Sequence, residues 1–144
     1  DNSIRLYKLH GSIDLFILDS GDIVRLNSLP NTNTRIHGRR IVERLLIYPV
    51  SSKPYFSEPY LELLILLKKK LIETKDCIVI GYSFRDSSIK RVFSDAAKRN
   101  TQLRIILVSL DAERLKKTQM KEIRAEIIPI SVPFEKFEVL EIED

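Results

Sequence analysis

The sequence predicts an α/β protein built on a partial, doubly wound parallel sheet, with an added β-hairpin near the N-terminus. Apolar runs at residues 77–80 and 103–108 are continuous rather than alternating, which is typical of strands covered by helices on both faces. Helix-like and strand-like segments alternate through the second half of the chain, as parallel pairing with right-handed crossovers requires. The fold class is therefore Rossmann-like. With 144 residues, we expect a single domain over residues 1–144.

Composition and charge exclude several function classes. The chain has 24 Lys and Arg against 20 Asp and Glu, and no basic stripe is interleaved with aromatics, so nucleic acid is not an expected partner. The most apolar segment, residues 61–67, is far shorter than the about 20 residues of a membrane span, and no signal-peptide pattern is present. The single cysteine, Cys77, excludes an intramolecular disulfide and a cysteine-based zinc site. A cytoplasmic protein without a membrane partner fits these features.

The N-terminal region predicts a strand followed by a hairpin. Apolar residues at alternate positions indicate a first strand over residues 4–9. Two strand-like runs at residues 13–18 and 23–26 are joined by Asp-Ser-Gly-Asp at 19–22, which is typical turn chemistry. A hairpin over residues 13–26 is therefore expected.

The next segment predicts a loop, a strand and a helix. Residues 27–40 are rich in Asn, Thr and Pro and have no periodicity, so they predict an exposed loop. Residues 41–48 are strand-like and end at Pro49, and residues 61–72 keep helical spacing. We expect this helix to lead directly into the strand at residues 77–80.

The strand at residues 77–80 organises the rest of the chain, and we predict that it is central in the sheet. It ends at Gly81, and Asp86, Ser87 or Ser88 can cap a helix that continues to residue 99. In open α/β sheets ligands bind at such strand ends, because glycine lets the backbone approach and a helix N-terminus offers N–H groups to a phosphate. A nucleotide site is the resulting hypothesis, with a purely structural turn as the alternative.

The last part of the chain predicts two more strands and a helix. A strand at residues 103–108 precedes a helix that Asp111 caps and that runs to residue 120, and residues 126–130 form a further strand. Residues 134–142 fit either a short helix or an extended tail. So few strands leave a sheet edge open, and we expect a missing N-terminal segment of the same protein or a homo-oligomer to cover it.

Two short motifs resemble the sirtuin superfamily, especially its bacterial and archaeal sirtuin-like domains. Residues 8–14 read Lys-Leu-His-Gly-Ser-Ile-Asp, and residues 78–86 read Ile-Val-Ile-Gly-Tyr-Ser-Phe-Arg-Asp. The family patterns are similar to K-L-H-G-S-I-D and I-G-Y-S-F-x-D, in this order, and the resemblance covers about residues 4–130. It implies that the chain is the C-terminal part of a sirtuin-like Rossmann domain.

The resemblance implies a role for each matching residue. His10 is the expected catalytic residue, a general base on the nicotinamide ribose, and neutral histidine suits that task near pH 7. His37 has no such context and is predicted to be a loop residue. The expected cofactor-binding residues are Gly11, Ser12, Gly81, Tyr82, Ser83 and Ser109.

Two departures from the family pattern shape the functional hypothesis. Deacetylating sirtuins carry a four-cysteine zinc module, whereas here residues 13–48 form a hairpin and loop insertion without cysteine, so no zinc or other metal site is expected. Water then becomes the favoured acceptor, which indicates NAD hydrolysis. The family's glycine-rich phosphate loop would lie before Asp1, so we expect these residues alone to be inactive.

Four hypotheses follow. The first is an NAD+ glycohydrolase that releases nicotinamide, with NAD as its substrate, in a prokaryotic protein whose resemblance suggests an anti-phage defence effector. The second is a non-catalytic sensor that binds NAD or ADP-ribose. The third is a structural α/β module whose basic faces dock a partner or nucleic acid, and the fourth is an NAD-dependent protein deacetylase.

Overall fold

A computed structural model describes residues 6–31, 33–46, 59–133 and 136. The chain divides into two compact units, Asp1–Leu63 and Leu64–Asp144. None of the described helices has the length and apolarity needed to cross a membrane. The elements are β1 (Gly11–Leu18), β2 (Ile23–Arg25), β3 (Arg35–Ile36), β4 (Arg39–Leu46), α1 (Tyr60–Glu73), β5 (Asp76–Ile80), α2 (Ser87–Arg99), β6 (Arg104–Val108), α3 (Ala112–Thr118) and β7 (Glu126–Ile130).

The N-terminal unit contains a four-stranded antiparallel sheet in the order β2-β1-β4-β3. The predicted hairpin is confirmed as β1 and β2, which pair with Ile17 opposite Ile23. Its turn closes through the Gly21 N–H, which donates to Leu18 O at 2.9 Å, and Gly21 has a positive φ of 88°. The sheet buries Phe16, with the Arg44 guanidinium 5.5 Å from the centre of its ring.

Two predictions for this unit need correction. Residues 27–40 were expected to be a loop, but they contain β3 and the start of β4, joined by a tight turn in which His37 and Gly38 have φ of 47° and 78°. A two-residue strand is too short for periodicity to reveal it. Residues 6–10 form no strand, although residues 4–9 were predicted to do so, and residues 4 and 5 lie outside the described range. Residues 47 and 48 of the predicted strand at 41–48 also lie outside it.

The C-terminal unit is built on a parallel sheet in the order β5-β6-β7. Cys77 pairs with Ile105, and Ile105 pairs with Ile127, which confirms the predicted parallel pairing. The expectation that residues 77–80 form a central strand is wrong within the described sheet, because β6 is the middle strand and β5 pairs only with β6. An apolar run does not distinguish an outer strand from an inner one.

The helices of this unit begin and end largely where the sequence predicts. Asp86 is the N-cap of α2, and its Oδ1 accepts hydrogen bonds from the N–H groups of Ser88 and Ile89 at 3.0 and 3.4 Å. At the other end, the Asn100 side-chain amide donates to the carbonyl oxygens of Leu71 (3.0 Å) and Thr74 (2.6 Å). The last carbonyl groups of a helix have no partner within the helix, and here the Asn100 amide supplies one. The same amide thereby links the end of α1 to the end of α2.

The third helix differs slightly from its prediction. Asp111 occupies the N-cap position of α3, but its side chain makes no capping hydrogen bond and instead pairs with Arg114. The helix ends at Thr118 rather than at residue 120. The following strand, β7, has the predicted bounds, whereas the segment predicted at residues 134–142 lies outside the described residues except for Lys136.

One ion pair joins the first residues of two neighbouring strands. Asp76 of β5 lies opposite Arg104 of β6, and the guanidinium donates two hydrogen bonds to the carboxylate, Nε to Oδ1 at 2.5 Å and Nη2 to Oδ2 at 2.8 Å. These hydrogen bonds lower the pKa of the Asp76 carboxyl below its ordinary value. A bidentate arginine pair of this kind is directional as well as electrostatic.

The single cysteine should be chemically inert at neutral pH. Burial of Cys77 in β5 raises the pKa of its thiol to about 11, and only the thiolate reacts with alkylating agents. We expect iodoacetamide labelling of the folded protein to be slow at pH 7 and to accelerate about tenfold per pH unit until the pH approaches that pKa. Labelling in denaturant provides the control rate. Rapid labelling of the folded chain at pH 7 would contradict the described burial.

Candidate functional site

A cavity of about 480 Å³ lies at the carboxyl ends of the parallel strands. Strands that run in parallel bring their ends to one edge of the sheet, so the residues that follow β5, β6 and β7 meet there. The wall is mainly apolar, with two polar side chains and one glycine. The lining residues are Ile80, Gly81, Val108, Ser109, Leu110, Asp111, Val132 and Pro133.

Gly81 gives this cavity an open stretch of backbone. Its φ is 64°, a left-handed value that favours glycine. Its N–H donates to Val108 O at 2.9 Å, and an added Cβ would meet no atom within 4 Å. Glycine is therefore required here by the backbone angle, and the space beside it is available to a bound molecule.

Ser109 follows β6, the strand next to β5, and its backbone is held by two hydrogen bonds. Its N–H donates to Ile130 O at 3.1 Å, and its carbonyl accepts from the Ala112 N–H at 3.1 Å. The hydroxyl oxygen accepts from the Asp111 N–H at 3.3 Å. Because a hydroxyl both donates and accepts, this contact leaves the Ser109 hydroxyl hydrogen able to donate to a ligand.

In the N-terminal unit, position 11 has no room for any residue larger than glycine. It begins β1 opposite Leu46 and has a φ of 74°. A Cβ at this position would lie 2.0 Å from the carbonyl oxygen of Leu45, far inside van der Waals contact. Gly11 therefore allows β4 to approach β1 closely.

Three further residues of the same motif form one charged cluster. Lys8 Nζ donates to Ser12 Oγ at 2.7 Å and lies 3.7 Å from Asp14 Oδ1, while Arg25 Nε lies 3.1 Å from Asp14 Oδ2. The Ser12 hydrogen bond, followed by the two cations, lowers the pKa of the Asp14 carboxyl. This network fixes both ends of the turn that carries His10.

His10 lies in that turn and is half-buried. The turn is closed by the Gly11 N–H, which donates to Lys8 O at 3.0 Å. A second cavity in this unit, about 510 Å³, is lined by Gly11 together with Lys8, Arg25 and Tyr60, and neither His10 nor Ser12 is among its lining residues. Most of the motif thus has a structural role, and that role is to shape the backbone around the histidine.

Comparison with known protein families shows which family the chain belongs to. A family model described as a SIR2-like domain matches residues 1–128, which is most of the sequence. The chain belongs to the SIR2-like domain family. A search of curated proteins found no match. Membership implies an NAD-related, sirtuin-like function, in agreement with the α/β fold and its strand-end cavity.

Within this SIR2-like chain, the two predicted site residues after Gly81 are not part of the cavity wall. Tyr82 and Ser83 are half-buried and do not line the strand-end cavity. The Tyr82 ring instead packs edge-on against Phe84, with ring centres 5.0 Å apart. Gly81 and Ser109 line the same cavity, and contact of all four residues with NAD stays a prediction.

Phe84 is the residue whose role the sequence did not reveal. Its φ is 54°, unusual for a bulky side chain, and its side chain is fully buried against Phe93 at a ring-centre distance of 5.2 Å. Such a backbone angle persists only where packing enforces it. An aromatic residue inside a polar turn was the available signal, and its effect is to anchor the turn after Gly81.

The expectation that the N-terminus of α2 receives a phosphate needs revision. Asp86 already occupies the N–H groups of Ser88 and Ile89. A phosphate at this position would meet a carboxylate of like charge and would find these two donors taken. These two N–H groups are therefore not available to a phosphate. Among the residues that the structure describes, no cluster of three His, Cys, Asp or Glu side chains could hold a metal ion.

Proposed function

We propose that this SIR2-like chain provides part of an NAD-binding site and that the intact protein is an NAD+ glycohydrolase that releases nicotinamide. The observation that carries the proposal is the strand-end cavity, in which an open glycine backbone and a fixed serine hydroxyl lie at the position where α/β sheets bind nucleotides. Its occurrence in a member of an NAD-related family makes a dinucleotide the favoured ligand.

The chemistry of the cavity suits a nucleoside. Its volume of about 480 Å³ falls within the range of small-molecule sites. Ile80, Leu110 and Pro133 offer apolar surface to the face of a base, while Ser109 and Asp111 offer a hydroxyl and a carboxylate to a sugar. The adenosine half of NAD has this combination of groups.

His10 is the proposed general base. It would take a proton from a hydroxyl of the nicotinamide ribose, which favours the positive charge that develops on that sugar as the glycosidic bond breaks. Nicotinamide leaves with the electron pair of the broken bond, and the oxygen of a water molecule then bonds to the ribose carbon and releases one proton to solvent. His10 returns its proton to the ribose hydroxyl, which regenerates the base. Gly11 and Ser12, whose structural contacts are described above, are proposed to border the cofactor.

Hydrolysis is preferred to deacetylation because of the composition of the N-terminal sheet. Sirtuin deacetylases build a peptide cleft with a four-cysteine zinc module, and the only cysteine of this sequence is Cys77 in β5. Water is then the acceptor, and the products are nicotinamide and ADP-ribose. Depletion of NAD by such an enzyme in a prokaryotic cell would suit an effector of anti-phage defence, controlled by a separate trigger.

The strand-end site can be tested with Gly81→Ala in the full-length protein. The methyl group would enter the cavity, so we expect NAD to raise the melting temperature only at concentrations about tenfold or more higher than for the wild type. Gly38→Ala is the matched control, because Gly38 also has a positive φ and open space around it. It should lose the same about 1 to 2 kcal/mol of stability to backbone strain and leave the response to NAD unchanged.

The outcome separates the alternatives. An NAD response that is unchanged in Gly81→Ala would contradict the strand-end site. NAD binding without nicotinamide release under any condition would instead favour a sensor of NAD or ADP-ribose, since the same cavity could bind a nucleotide without turning it over.

A further inference from the structure

We propose that the hairpin formed by β3 and the start of β4 binds double-stranded DNA through its three arginines. This basic hairpin, residues 35–40, reads Arg-Ile-His-Gly-Arg-Arg and contains no acidic residue. All of its residues except Ile36 are exposed. None of them lines either of the cavities described above, so the inference is independent of the proposed NAD site.

The basic hairpin is a regular two-stranded ribbon with a tight turn. Ile36 pairs with Arg39, and the two residues between them, His37 and Gly38, both have positive φ. Two-residue turns of this kind match the twist of the strands that they join. The register between β1 and β4 ends at Ile41, and β3 is the last strand of the described sheet. The hairpin therefore extends beyond β1 and presents its arginines on an ordered backbone.

The positions of the arginines are unfavourable in the free protein. Arg35 lies directly opposite Arg40, and like charges at directly opposite positions destabilise a strand pair. Arg40 Nε lies 3.7 Å from Asp19 Oδ2, but among the described residues no acidic side chain pairs with Arg35 or Arg39. Arg35 Nη1 instead donates to Gly38 O at 3.4 Å. A polyanion bound to the hairpin would relieve this repulsion.

The distribution of charge over the two faces favours DNA over a flat anionic surface. Directly opposite residues share a face and consecutive residues lie on opposite faces, so Arg35 and Arg40 are on one face and Arg39 is on the other. A membrane surface meets only one face of a ribbon. The major groove of B-form DNA is about 12 Å wide, admits a two-stranded ribbon and has phosphates along both walls. The major groove of duplex RNA is too narrow for side chains to enter.

The sequence alone does not indicate this surface. Basic residues only slightly outnumber acidic ones in the chain, and residues 27–40 have the composition of a loop. The pairing of β3 with β4 is what brings Arg35 beside Arg40. An exposed cluster of one sign of charge on an ordered element is the footprint expected of a surface that contacts nucleic-acid phosphates.

Fluorescence anisotropy of a labelled DNA duplex of about 20 base pairs tests the proposal, with the full-length protein titrated at salt concentrations from about 50 to 200 mM. We expect the wild type to bind, and the triple variant Arg35→Gln, Arg39→Gln, Arg40→Gln to bind about 10- to 100-fold more weakly at about 100 mM salt. The slope of log K against log salt concentration should become shallower by about 2 to 3, because each phosphate contact contributes about 0.9.

The matched control removes the same number of positive charges from another exposed surface. It combines Lys117→Gln, Lys121→Gln and Arg124→Gln, whose side chains are exposed in and after α3. We expect this variant to keep the affinity and the salt slope of the wild type within about threefold and about 0.5, respectively. An equal loss in both variants would attribute DNA binding to net charge and would overturn the hairpin site.

The melting temperature without DNA shows whether the hairpin variant is folded. Because the substitutions remove a repulsion between strands, it should equal or exceed that of the wild type. A folded wild type that does not bind the duplex, or an unchanged salt slope in the folded hairpin variant, would overturn the proposal. Duplex RNA and vesicles of phosphatidylserine in phosphatidylcholine are the competing ligands. Binding to either of them that equals or exceeds binding to DNA would overturn it in favour of an RNA or a membrane partner.

Discussion

Replacing His10 by alanine in the full-length protein is expected to slow nicotinamide release from NAD by roughly 10²- to 10⁴-fold, the usual effect of losing a general base. The NAD-induced rise in melting temperature should remain, because the proposed role of His10 is in proton transfer and the strand-end cavity is lined by other residues. Nicotinamide release and thermal unfolding, measured on the same preparation, provide the two readouts.

His37→Ala is the natural control, since the sequence has two histidines and His37 lies exposed in the β3–β4 turn. Its rate should equal that of the wild type. A His10→Ala variant with an unchanged rate would exclude a general-base role, and loss of both the rate and the melting response would indicate that His10 acts mainly in binding or folding.

Gly11→Ala is expected to destabilise the protein strongly. The new methyl group would lie 2.0 Å from Leu45 O, so β1 and β4 must separate or the turn carrying His10 must deform. The methyl group would clash with a backbone carbonyl, and no side-chain rotation can relieve such a clash. We therefore expect the free energy of unfolding to fall by roughly 3 kcal/mol or more, which corresponds to a decrease of about 10 °C in melting temperature. Thermal unfolding followed by circular dichroism measures this change.

Comparison with Gly21→Ala isolates the steric part of this effect. Gly21 also has a positive φ, but an added Cβ there meets no atom within 4 Å. Its substitution should cost only the backbone strain of about 1 to 2 kcal/mol. Equal melting temperatures for the two variants would show that the close approach of Leu45 to Gly11 does not control stability.

The parallel sheet was predictable because its signals are local. The apolar runs around Cys77 and Ile105, the glycine after β5 and the Asp86 cap all act within a few residues of the chain. The assignment of Gly81 and Ser109 to one cofactor site rests instead on the resemblance to sirtuins. The structure places both on one cavity.

The features that were missed depend on how the folded chain packs. Gly11 must be glycine because of Leu45, which is far away in sequence, and the left-handed Phe84 packs its ring against those of Phe93 and Tyr82. Whether β5 is an outer or an inner strand depends on which strands pair, and an apolar run in the sequence does not indicate this. Pairing and packing of this kind require the folded chain.

The ion pair between Asp76 and Arg104 has a consequence for the accuracy of the site. Residues 77–80 and 105–108 are almost uniformly apolar, so sliding one strand along the other by two residues would still bury similar groups. It would also move the two strand ends apart by about 6.6 Å and take Gly81 away from Ser109. The charged pair penalises this slip, because it holds the correct alignment at the opposite end of the strands. A contact remote from the cavity thus determines which residues meet in it.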